Sequence, residues 1–138
     1  MYKKILITLD ATPTDRAILD HMKPLARLMQ SHVVLLHVAD GWAARWYGPD
    51  AVSPEVEDDT AYLARIHAEF TAEGIETEVK LAYGDPVTEI VRWVKEQGCD
   101  LVAMSTHGHR LLGDLFLGTT SNRVQHDVNV PVLLLRAR

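Results

Sequence analysis

Lys4-Ile5-Leu6-Ile7-Thr8-Leu9 is a short, mostly apolar run that stops at Asp10. Without polar alternation, a run of this length reads as a strand buried on both faces. Moving outward, Val33 to Ala39, Glu78 to Ala82, Leu101 to Ser105 and Val132 to Leu135 have the same character, so the sequence predicts five strands. Between them the apolar period lengthens to that of a helix, at Ile18, Met22, Leu25 and Met29, at Leu63, Ile66 and Phe70, and at Val87, Ile90, Val91 and Val94. Strands separated by helices pair in parallel through right-handed crossovers. The expected fold is therefore α/β, an open parallel sheet with helices on both faces.

Boundary residues agree with this alternation. Thr12-Pro13, Ser53-Pro54 and Asp85-Pro86 each place a capping side chain before a proline at the first helical position. Gly74 and Gly98 stand where glycines end helices. Pro24 falls inside the first helix, where it removes a hydrogen bond and is expected to bend the axis. The stretch Glu55 to Asp59 reads as a helix's acidic first turn, and His37 as a core histidine with satisfied nitrogens.

The 138 residues predict one domain over 1–138, large enough to build a core without staples, and a single cysteine, Cys99, excludes an internal disulfide framework. Cys99 has no activating base in view and reads as structural. A net charge of −5 argues against a nucleic-acid partner, whose binding surfaces are basic. No apolar run reaches membrane-spanning length and the first strand is too short for a signal peptide, so the expected setting is the cytoplasm, with no membrane partner.

Open α/β sheets bind ligands beyond the carboxyl ends of their strands, where strand order reverses. The loop after the fourth strand is the richest: Gly108, nine residues, then Gly118-Thr119-Thr120-Ser121 opening the last helix. Amides freed at a helix start, small hydroxyls beside them and a glycine allowing close approach suit a phosphate; a plain helix cap would use the same residues. Asp114 stands where a P-loop would need lysine, and no dinucleotide fingerprint, nucleophile elbow or paired-histidine zinc helix occurs. His107 and His109 flank Gly108, but two histidines do not make a metal site, and none is assigned. His109 and Arg110 are instead candidates for approaching phosphates, against a solvated loop as the alternative. Asp10, at a strand end, suits a ribose hydroxyl or an adenine amino group, with a helix cap as the alternative. The loop from Asp40 to Val52, with Trp42, Trp46 and Tyr47, is long enough to be functional.

Across nearly its whole length the chain resembles the universal stress proteins. The resemblance rests on Lys4 to Asp10, Leu36-His37-Val38, Gly84-Asp85-Pro86, Asp100 to Gly108, Leu117-Gly118-Thr119-Thr120 and Pro131-Val132-Leu133-Leu134. It implies a Rossmann-like sheet of order 3-2-1-4-5. It places Asp10 and Val38 near base and ribose, Met104 and Ser105 beside the sugar, and Gly108, Gly118, Thr119 and Thr120 around the phosphates. Ser105 stands where the family's nucleotide-binding branch has its first glycine.

The resemblance further implies a stress-response regulator holding ATP or AMP, with Mg²⁺ carried by the phosphates and a still unknown protein partner. It also implies a homodimer through the last strand, whose pairing would cover an apolar edge. The alternatives are a nucleotide-free dimeric interaction module and a slow ATPase or autophosphorylating protein with Thr119 or Ser121 as acceptor; no catalytic residue is assigned.

Overall fold

The computed structural model describes residues 1–39, 54–106 and 121–136, the side chains of 54–58 excepted. In chain order the elements are β1 (Lys4–Leu9), α1 (Asp15–Met29), β2 (His32–Ala39), α2 (Pro54–Ala72), β3 (Thr77–Tyr83), α3 (Pro86–Gln97), β4 (Leu101–Ser105) and β5 (Val132–Leu135). Residues 121–127 add a helical stretch before β5. All strand pairs are parallel and the order is β3-β2-β1-β4-β5, as the sequence and its resemblance imply.

Alternation along each central strand builds two cores. Ile5, Ile7 and Leu9 of β1, Val33 and Leu35 of β2, and Leu101 and Ala103 of β4 pack against Ile18, Leu19 and Met22 of α1 and Leu63, Ile66 and Phe70 of α2. The intervening residues Leu6, Val34, Leu36, Val102 and Met104 pack against Val87, Ile90 and Val94 of α3 and against Val124 and Val128. Each fully buried aliphatic side chain contributes about 1.5–3 kcal/mol, so the sheet's central strands are its anchor.

The helix ends follow their local chemistry, with one departure. Asp85 caps α3, its carboxylate accepting from the Thr88 amide at 2.9 Å, and this contact holds its pKa below the usual carboxylate value. Gly98 closes α3 at φ +64°, a conformation that glycine adopts without a Cβ penalty. α1, however, begins at Asp15 rather than Pro13, and the capping hydroxyl expected of Thr12 gives way to a turn in which Asp15 donates its N–H to the Thr12 carbonyl. Pro24 is exposed and α1 runs through it.

Charged side chains lay α2 beside α1. Glu69 of α2 meets Arg16 at 2.8 Å and Lys23 at 3.1 Å, and Glu73 meets Lys23 at 3.5 Å. Through these pairs the last turns of α2 lie alongside α1 from its first turn to its middle.

Candidate functional site

Strand order reverses between β1 and β4, because β2 and β3 extend the sheet on one side and β5 on the other. The carboxyl ends of β1 and β4 thus frame the crevice where such sheets hold ligands. Ile7 pairs with Ala103, so Leu9 and Ser105 lie two residues further along adjacent strands. On the other side Leu9 pairs with His37, which sets Asp10 beside Val38.

Asp10 itself is half-buried, in a turn held by a residue the sequence analysis did not single out. The Asp15 carboxylate, 1% exposed, accepts the N–H of Asp10 and that of Ala11, both at 2.9 Å, and the hydroxyl of Tyr62 at 2.7 Å. Ala11 has φ +61°, so the chain turns sharply here and both amides point at one carboxylate. Burial raises the Asp15 pKa, and the hydrogen bonds from Asp10, Tyr62 and Ala11 oppose that shift. Burial likewise raises the Tyr62 phenol, reinforced by the Asp15 charge beside it. The capping role weighed for Asp10 is therefore reversed: Asp10 contributes its backbone N–H, and the α1 residue supplies the carboxylate. Nothing local in the sequence marks Asp15, because its burial under Tyr62 joins residues 47 apart in the chain.

His37 is buried and has both ring nitrogens engaged. Its Nδ1 lies 2.8 Å from the Leu9 carbonyl oxygen and its Nε2 3.1 Å from Asp59 of α2. The reading of a satisfied core histidine fits this geometry. Asp59, the last residue of the stretch read as an acidic first turn, is itself buried against His37.

On the far side of the crevice Ser105 ends β4, with a buried hydroxyl that has no hydrogen-bond partner among the described residues. Met104 is buried in the second core, against the α3 side of the sheet, and Val38 is half-buried on that same side. Ser121 is buried at the start of the last helical stretch. The structure therefore gathers Asp10, Val38, Met104 and Ser105 at one end of the sheet. Gly108, His109, Gly118, Thr119 and Thr120 lie outside the described residues, as do Trp42, Trp46 and Tyr47.

Cys99 is a free, buried thiol at the opposite, amino end of the sheet. Burial pushes its pKa up to about 11, in keeping with a structural residue. Among the described residues no group of three or more His, Cys, Asp or Glu side chains gathers to hold a metal, and no helix is long and apolar enough to cross a membrane.

The chain matches the universal stress protein family over residues 1–136. It is 27% identical to universal stress protein MJ0577 of Methanocaldococcus jannaschii, over 100% of this chain and 97% of that protein. It is 28% identical to universal stress protein YxiE of Bacillus subtilis, covering 99% and 100% of the two chains. The solved structure of MJ0577 superposes with a TM-score of 0.84, covering 100% of this chain and 98% of the other at 28% identity. Two further structures share the fold at TM-scores of 0.73. One, from Archaeoglobus fulgidus, is a complex with dAMP, 18% identical and covering 98% of each chain. The other is a universal stress protein in complex with cAMP, 17% identical and covering 98% of this chain and 97% of that one. With a β3-β2-β1-β4-β5 sheet, a crevice at the β1–β4 reversal and a family match over all but its last two residues, the chain belongs to the universal stress protein family.

Proposed function

We propose that this protein binds an adenine nucleotide, ATP or AMP, in the crevice between β1 and β4, and acts as a stress-response regulator rather than through catalysis. The observation that carries the proposal is the turn after β1: a buried carboxylate fixes two successive amides so that Asp10 is presented at the reversal point, one residue beyond Leu9, which lies level with Ser105. Fixing a backbone with a buried charge is expensive, and a preorganised binding edge is what such an outlay serves. The Ser105 hydroxyl, buried and without a partner among the described residues, stands at the same end of the sheet. Two proteins of this fold hold adenine nucleotides, dAMP in one and cAMP in the other.

In this reading Asp10 and Val38 meet base and ribose and Met104 and Ser105 flank the sugar. Gly108, His109, Gly118, Thr119, Thr120 and Ser121 surround the phosphates, which carry Mg²⁺ with them. The protein works as one domain in the cytoplasm, as a homodimer with an unknown protein partner. Dimerisation through β5 is supported by its place at the sheet edge, with Leu134 37% exposed.

Thermal melting with AMP, ATP and GTP, each with and without Mg²⁺, tests the proposal. A ligand at about 100 times its Kd adds roughly 2.7 kcal/mol, a clear rise in Tm. Stabilisation by the adenine nucleotides and not by GTP is expected, and it should vanish in Gly118→Val, whose side chain blocks close approach to the backbone. Absence of stabilisation by every nucleotide would overturn the reading.

A further inference from the structure

Asp59 and Tyr62 lie three residues apart, on neighbouring turns of α2, and both reach the end of β1 through another side chain. Tyr62 donates to Asp15, which takes the N–H groups of Asp10 and Ala11; Asp59 meets His37, whose other nitrogen meets the carbonyl of Leu9. The carbonyl of Leu9 and the N–H groups of Asp10 and Ala11 are thus tied, at one remove, to a single helix. This helix follows directly on the 40–53 segment that carries Trp42, Trp46 and Tyr47.

The His37 geometry has a protonic requirement. A carbonyl oxygen only accepts, so Nδ1 must carry a hydrogen toward Leu9. A neutral ring would then present a lone pair at Nε2 to the Asp59 carboxylate, two acceptors facing each other at 3.1 Å. Both contacts are made together only when the pair holds one further proton, shared between imidazole and carboxylate. Among the described residues, the other titratable groups near this contact are Asp15 of α1, which holds the Tyr62 hydroxyl, Tyr62 itself, and Tyr83, two residues beyond His37's register partner on the same face of β3. Arg16 and Arg65 bring positive charge toward Tyr62.

We propose that His37, Asp59 and Tyr62 are positioning residues for the candidate site, and that the proton shared by His37 and Asp59 sets the geometry of the turn that presents Asp10. The part that concerns affinity rests on the nucleotide reading given above; the part that concerns the turn does not. Loss of the proton as pH rises breaks one of the two contacts, loosens the end of β1 from α2 and weakens the grip on a ligand at Asp10.

The decisive comparison is between the wild-type chain and Asp59→Asn. An asparagine amide donates to a neutral Nε2, so the variant keeps both contacts without the extra proton. AMP affinity is measured as a pH series across the whole range in which the protein stays folded. The ratio of wild-type to variant affinity cancels the phosphate's own titration. That ratio should fall about tenfold toward the higher pH, in line with the loss of one charge-assisted hydrogen bond. A ratio that does not change with pH overturns the proposal.

The ligand-free wild-type protein gives a second readout: its Asp10 and Ala11 amide resonances should move with a single titration that coincides with the His37 ring nitrogens. Should AMP not bind at all, amides that follow His37 uphold the proton-dependent turn, and the failure falls on the nucleotide reading alone. Amides that ignore His37 overturn the proposal whatever binds, and this series needs no variant to fold.

Discussion

At the amino end of the sheet Asp100 accepts the N–H groups of Lys3 and Lys4, at 2.9 and 3.1 Å; at the carboxyl end Asp15 accepts those of Asp10 and Ala11, both at 2.9 Å. The two carboxylates do the same work, but Asp100 is half-exposed whereas Asp15 is buried beneath Tyr62. The contrast extends to the histidines. His32, at the amino end, lies between Glu76 and Glu78 with its side chain 30% exposed; His37, at the carboxyl end, is buried between Leu9 and Asp59. Among the described residues, the buried carboxylates and the buried imidazole all stand at the end where strand order reverses. Solvent satisfies exposed groups cheaply, so holding charge inside the protein at one end alone marks that end as the one whose backbone must not move.

The sharpest way to break this comparison is Asp15→Ala. It leaves two amides and a tyrosine hydroxyl without their acceptor in a buried setting, and should destabilise the fold by about 3 kcal/mol in denaturant melts. Its counterpart Asp100→Ala exposes amides that water can reach, and should lose no more than about 1 kcal/mol. Equal losses would dissolve the distinction between the two ends.

Tyr62→Phe sharpens it at intermediate size, with an expected loss of about 1–1.5 kcal/mol at neutral pH. The Tyr62 bond opposes the rise in the Asp15 pKa, so its removal lets that pKa climb further. A carboxylate whose folded pKa is raised contributes stability that is full below its unfolded value and lost as pH rises through the folded one. The loss in Tyr62→Phe should therefore shrink when melts are repeated near about pH 4, around the ordinary aspartate pKa.

The smallest effect belongs to Glu78→Gln at the amino end. Hydrogen bonding from His32 lowers the Glu78 pKa, so its contribution is present above the ordinary glutamate value and fades as acid carries the pH through the depressed one. Exposed pairs of this kind give under about 1 kcal/mol, and the difference from wild type should fade in high salt.

Much of this was legible in the chain itself. Uninterrupted apolar runs marked the strands, because buried parallel strands need apolar residues on both faces. The sheet order and Asp10's place beside Val38 followed from the family resemblance carried by Lys4 to Asp10 and Leu36-His37-Val38. What stayed hidden was long-range and polar. Tyr62 and Asp15 are 47 residues apart, and His37 and Asp59 22 apart; no periodicity announces that an acidic residue near a helix start turns inward. The start of α1 was misplaced for a related reason: Thr12-Pro13 has the form of a cap, but Asp15 draws the preceding amides into a tight turn first.

The central claim, that the carboxyl end of β1 and β4 is built for an adenine nucleotide, is tested most directly by following the backbone amide resonances of the intact protein as AMP is added. Saturable shifts are expected on Asp10, Ala11, Val38, Ser105 and Thr106, with Lys3, Lys4, His32 and Asp100 unmoved. Shifts centred on the amino end, or a spectrum that AMP leaves unchanged, would contradict it.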